Sequence, residues 1–166
     1  MSKKNSSRVI IIAAVIIALV LALVLGTVFI APVLSARDKM SEAREAFEAA
    51  SDDDVMIITD PLYNEAALPD EVTAFPTGDE ALDIADALIS ATEKAKYSET
   101  RKTLAGSWDI SVSIGDGEGS ARIYFSEEEF YVAKGYGQYV FTPNEDKADE
   151  YAAFYERLKN IISEKA

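Results

Sequence analysis

Four oxygen-bearing side chains, Asp116, Glu118, Ser120 and Glu127, stand at the first, third, fifth and twelfth places of what would be a calcium-binding loop. Such a loop needs glycine at its sixth place and helices on either side. Ala121 occupies the sixth place, and the flanking pattern is that of strands. Asp116-Gly117 is also a favoured hairpin turn, which accounts for the pair without a metal. Asp52-Asp53-Asp54 reads as a solvated linker. Paired carboxylates can hydrolyse glycosides, but among 29 acidic residues some pair is always adjacent. No Gly-rich phosphate loop, G-x-S-x-G elbow or Ser-x-x-Lys motif stands in a fitting context. Histidine and cysteine are absent, which removes disulfides, thiol nucleophiles, the usual zinc ligands and His-based general bases. No catalytic residue, metal site or cofactor is therefore expected.

The aromatic residues offer binding chemistry instead. With a turn centred on Glu127-Glu128, Tyr124 faces Tyr131 on one side of a hairpin. A three-residue turn at Gly135-Tyr136-Gly137 adds Phe141 to that row and Tyr139 beside it. A four-residue turn sends Phe141 to the other side, opposite Val132, because one step of register flips the face. Tyr124, Tyr131, Tyr139 and Phe141 thus form a candidate face for a peptide or a glycan. The alternative is ordinary cross-strand pairing, or cover by the segment Pro61 to Leu68.

These residues sit on a chain that begins with a different kind of element. Val9 to Ala31 is an unbroken run of 23 uncharged residues, broken in its apolarity only by Gly26 and Thr27. As a helix it is about 34 Å long, enough to cross the roughly 30 Å hydrocarbon core of a bilayer. Lys3, Lys4 and Arg8 precede it and Pro32 closes it. A signal peptide has a shorter apolar region, although Val33-Leu34-Ser35 offers a small-residue cleavage site. The length favours an uncleaved signal anchor, and without cysteine no lipid can be attached there. Arg37, Lys39 and Arg44 on the far side match the three basic residues on the near side. A short tail before a long domain favours a cytoplasmic N-terminus and an external domain. Such a tail leaves no output domain in the cytoplasm, which weakens direct signalling. Ala14, Ala18, Ala22 and Gly26 recur every four residues, a spacing that lets membrane helices approach closely.

Beyond the span lie all 29 acidic residues and 13 of the 16 basic ones, a formal balance of −16. That balance argues against nucleic acid and against lying flat on anionic lipid. An external domain without disulfides suits a bacterium with a single membrane.

The expected organisation is a cytoplasmic tail (1–8), a transmembrane signal anchor (9–32), a juxtamembrane helix and linker (33–52) and an extracytoplasmic α+β domain (53–166). Val33, Ala36, Met40, Ala43, Phe47 and Ala50 make an a/d seam along the juxtamembrane helix, available either to a second copy or to its own domain. Val55 to Thr59 reads as a short buried strand ended by Asp60-Pro61, and Pro61 to Leu68 as two turns of helix. Thr77-Gly78-Asp79-Glu80 is a capping-box pattern opening a helix with Ala81, Ile84, Ala85, Leu88 and Ala95 on one side. Trp108, Ile110, Val112 and Ile114 alternate with polar residues, and a turn on Asp116-Gly117 sets Val112 opposite Ala121, Ile110 opposite Ile123 and Trp108 opposite Phe125. Strands at Phe130–Lys134 and Gln138–Thr142 complete a four-stranded antiparallel meander. Thr142-Pro143-Asn144-Glu145 is a second capping box, before a helix with Tyr151, Phe154, Tyr155, Leu158, Ile161 and Ile162 on its apolar face. Helices are expected to pack on the Trp108 face.

This layout resembles small single-pass envelope proteins of Gram-positive bacteria. The likeness lies in a basic tail, a span, an Ile57-Ile58-Thr59-Asp60-Pro61 strand end, a helix and a Trp-started meander with a Tyr-rich end. It carries over no functional residues. The expected function is non-catalytic: a membrane-anchored module that binds or scaffolds another envelope protein, with a homodimer as a further option. A ligand-binding or sensory module using the aromatic face is the alternative, and a carboxylate-dependent hydrolase a third.

Overall fold

The computed structural model describes residues 3–51, 54–59, 73–101, 110–115, 121–134 and 137–164. The chain divides into two compact units, Met1–Ala36 and Arg37–Ala166.

The first unit is helical: α1 (Lys3–Leu25), a π-helical turn (Gly26–Ile30) and the start of α2 (Ala31–Glu48). The large apolar side chains from Ile11 to Ile30 are exposed, Leu19 at 65% and Leu23 at 68%. Among the described residues, one helix is long and apolar enough to cross a membrane. Such a surface is costly in water and neutral in hydrocarbon. The helix does not end at Pro32, where the apolar run was expected to close; α2 continues through it. Proline lacks an N–H and its ring crowds the carbonyl four residues back. Immediately before it the helix widens, with the Ala31 N–H donating to the Gly26 carbonyl. The Thr27 hydroxyl lies 3.0 Å from the Leu23 carbonyl and 3.2 Å from that of Val24, so it can donate to either. The wider turn relieves the ring clash, and the helix passes the proline.

The second unit is α+β. Among the described residues its sheet has seven antiparallel strands in the order β2-β1-β4-β5-β6-β7-β3. The strands are β1 (Met56–Thr59), β2 (Thr73–Ala74), β3 (Lys96–Arg101), β4 (Ile110–Ile114), β5 (Ala121–Phe125), β6 (Phe130–Lys134) and β7 (Gly137–Thr142). The expected meander is the run β4-β5-β6-β7. It is widened by β1 and β2 on one side and by β3 on the other, so four strands become seven.

The register places Ile110, Val112, Ile114, Ile123, Phe125, Phe130, Val132, Tyr139 and Phe141 on one face, with Met56 and Ile58 from β1. All are buried. Helix α4 (Ala148–Ser163) lies on this face: Phe154 meets Phe125 edge-on at 5.3 Å, and Tyr151 lies 5.8 Å from Phe130. The Tyr151 hydroxyl lies 2.7 Å from the Ser126 carbonyl and 2.8 Å from that of Glu129 and can donate its proton to either, tying the helix to the β5–β6 turn. Helix α3 (Asp79–Ala91) buries Ala81, Ile84, Ala85, Leu88 and Ala91. Arg157–Asp83 (2.8 Å) and Ser90–Glu150 (2.6 Å) join it to α4.

Several details differ from the sequence expectation. Ile114, not Val112, lies opposite Ala121, and Ile110 lies opposite Phe125. A slip of two residues keeps every side chain on its face, so the apolar pattern cannot exclude it. Neither capping box forms. Gly78, with φ 56°, is the residue before α3, which moves the start of the helix past Thr77. Asn144 is extended after Pro143, and the chain enters α4 through a 3-10 turn, Glu145–Lys147. Ala95 lies beyond the end of α3, because Thr92 caps that helix and its hydroxyl donates to the Leu88 carbonyl at 2.8 Å. The Pro61–Leu68 segment, Trp108, the Asp116-Gly117 turn, Glu118, Ser120 and Gly135-Tyr136 lie outside the described residues.

Candidate functional site

The sheet's other face carries a mixed row. Following the pairing from edge to edge, it reads Thr73, Thr59, Ser111, Tyr124, Tyr131, Val140, Glu99. Tyr124 and Tyr131 sit opposite each other, as the Glu127-Glu128 turn requires, and their rings stack at 5.4 Å with a 12° tilt. The turn is held by Ser126, whose N–H and hydroxyl both donate to the Glu129 carbonyl at 2.9 Å. Tyr124 is half-buried, whereas Tyr131 is 1% exposed.

Tyr139 and Phe141 do not join this row. Lys134 pairs with Gly137 and Phe130 with Phe141, a register one step from the three-residue turn and two from the four-residue one. Both rings therefore lie on the helix-covered face, where Tyr97 meets them edge-on at 6.4 Å and 6.2 Å. The candidate face thus reduces to Tyr124 and Tyr131, with polar neighbours that the sequence reading missed. Ser111 and Ser113 are buried beside β1, their hydroxyls 3.4 Å from the Thr59 and Ile57 carbonyls. Gln138 is fully buried, and neither end of its amide has a hydrogen-bond partner among the described residues. Its cross-strand partner Arg101 makes a bidentate pair with Glu129, at 2.5 Å and 3.1 Å, and bonds Glu99 at 2.7 Å. The bond to Glu129 is the main influence raising the Arg101 pKa, with Glu99 adding to it.

A second concave feature lies within the Arg37–Ala166 unit, between α2 and the end of α3. It is a cleft of about 410 Å³ whose lining includes Arg37, Arg44, Glu45, Glu48, Lys94 and Phe141. Met40 of the α2 seam lines the cleft, and Met40, Ala43 and Phe47 are all buried. That apolar stripe is therefore not free for a second copy. Arg37 and Arg44 are seven residues apart, two helical turns, and this spacing was a legible sign of a shared side. Lys94 is the one non-glycine residue with positive φ (55°) among the described residues.

Among the described residues, two carboxylates are held below their usual range. Glu150 is lowered by its hydrogen bonds to Lys147 and then Ser90, and Asp54 by bonds from the Ser51 hydroxyl and N–H. Both shifts favour the ionised form and serve local structure. The small-residue positions Ala14, Ala18 and Ala22 lie exposed along α1, with Gly26 at the start of the π turn. Compared with protein families, curated proteins and solved structures, the chain matches none of them.

Proposed function

We propose that this chain is a non-catalytic, single-pass membrane protein with its N-terminus in the cytoplasm. Its α+β domain, outside the membrane, binds or scaffolds another envelope protein. The observation that carries this reading is the contrast along one helical stretch. From Ile11 to Ile30 its large apolar side chains are exposed, and from Met40 to Phe47 its apolar positions are buried. Hydrocarbon is the solvent that suits the first surface. Crosslinking the full-length protein in intact cells, followed by mass spectrometry, tests the partner. A specific heterologous protein supports the reading; self-crosslinks alone, or none, overturn it.

A second reading rests on the half-buried Tyr124 ring, stacked on the buried Tyr131, as a contact for a peptide or glycan. Tyr124→Ala removes the half-exposed ring with little change to the core. Unaltered binding by the folded variant eliminates that contact.

A further inference from the structure

We propose that the cleft beside α2 binds a phosphate-bearing anion through Arg37, Arg44 and Lys94. The region beyond the apolar run has a formal balance of −16, yet the lining of this one cleft holds three cations, Arg37, Arg44 and Lys94, beside two carboxylates, Glu45 and Glu48. Arg44 supplies the most specific sign. Its Nε is buried and has no acceptor among the described residues, and its nearest carboxylate contact, Glu48, is 3.9 Å from a terminal nitrogen. That distance is too long for a hydrogen bond. Glu45, the other acid of the lining, accepts from the Ser41 hydroxyl at 3.1 Å. A buried cationic donor without an acceptor is costly, and an anion entering the cleft supplies one.

The donor set indicates the kind of anion. A guanidinium is a planar fork and an ammonium a compact point charge. Two forks from α2 and one ammonium from the turn after α3 suit a tetrahedral anion with several oxygens better than a two-oxygen carboxylate. Lys94 ends the turn after α3 with a left-handed backbone (φ 55°), and its ammonium, 3.4 Å from the Glu93 carboxylate, is the third cation of the lining.

Two sources present this chemistry: the headgroup of an anionic phospholipid and free phosphate. Arg37 lies six residues past Ala31, the last residue of the apolar run, so a headgroup is close in sequence terms. The lipid source rests on the anchor reading; the anion site does not.

The test uses the full-length protein in phosphatidylcholine nanodiscs, with inorganic phosphate titrated in and amine acylation followed by mass spectrometry. The Lys94 side chain is 74% exposed and so reactive, and Lys159, at 49%, serves as the internal reference. Phosphate is expected to slow labelling of Lys94 and not Lys159, with chloride at equal ionic strength without effect. Arg44→Gln is expected to raise the phosphate needed for half-protection by about tenfold or more, the weight of one charge-assisted hydrogen bond. Arg37→Gln gives the same readout should Arg44→Gln fail to fold. Protection only in discs containing phosphatidylglycerol assigns the lipid headgroup. Absence of protection in both arms, or protection unchanged in both variants, overturns the site. A protein that fails to enter discs yet is protected by phosphate contradicts the anchor and leaves the site standing.

Discussion

Two stretches of one helical segment, Ile11–Ile30 and Met40–Phe47, have opposite environments. The first displays Leu19, Leu23 and Phe29 at 65, 68 and 64% exposure, while the second holds Met40, Ala43 and Phe47 at 6% or less. In the first, apolar residues cover the whole circumference, so no single packed face can account for them. In the second they form a stripe among charges, and one packed face suffices. A stripe finds its cover within a protein, whereas an apolar cylinder needs an apolar solvent.

The largest expected effect that sharpens this contrast is at Phe47. Phe47→Ala should destabilise the domain by about 3–5 kcal/mol in denaturant unfolding, the cost of emptying a packed site. Leu21→Ala, in the exposed stretch, should leave that transition unchanged. Equal effects at the two positions would remove the distinction. Leu21→Arg comes next: a charge near the helix centre should disfavour membrane insertion by about 2.5–3.5 kcal/mol, read as the fraction recovered with membranes. Gly78→Ala should cost the domain about 1–2 kcal/mol, since φ is 56° there and a side chain is strained even in open space. The smallest effect concerns Glu150 and Lys147, an exposed pair at 2.8 Å. Glu150 is lowered from 4.5, so its contribution is complete above that pH and is lost as pH falls through the lowered value. Lys147 is raised from 10.5 by the same pair, so its contribution is complete below that pH and fades as pH rises through the raised value. Salt should shrink both. A thermal-unfolding profile for Glu150→Gln that parallels the parent at both ends would contradict the pairing.

The features legible in the sequence were those fixed by periodicity. The β4–β7 meander, the α4 face of Tyr151, Phe154, Tyr155 and Leu158, and the Tyr124–Tyr131 pairing all follow from alternation or helical spacing. What escaped was set by longer-range pairing. Strand β3, Lys-Tyr-Ser-Glu-Thr-Arg, has no apolar alternation because it is a charged edge strand, bulged between Tyr97 and Glu99. The last hairpin could not be placed because Gly-Tyr-Gly permits several turn lengths, and the one found puts Tyr139 and Phe141 in the core. The Arg44–Lys94 cleft joins residues 50 positions apart, which no local pattern reports.

The absence of cysteine makes the central claim directly measurable. Glu127→Cys puts a single thiol on the exposed β5–β6 turn of the full-length protein, which is then treated in intact cells with a membrane-impermeant maleimide. The account predicts labelling in intact cells, on a full-length protein recovered with the membranes. Labelling only after lysis, or a labelled protein recovered as a soluble species, would contradict it.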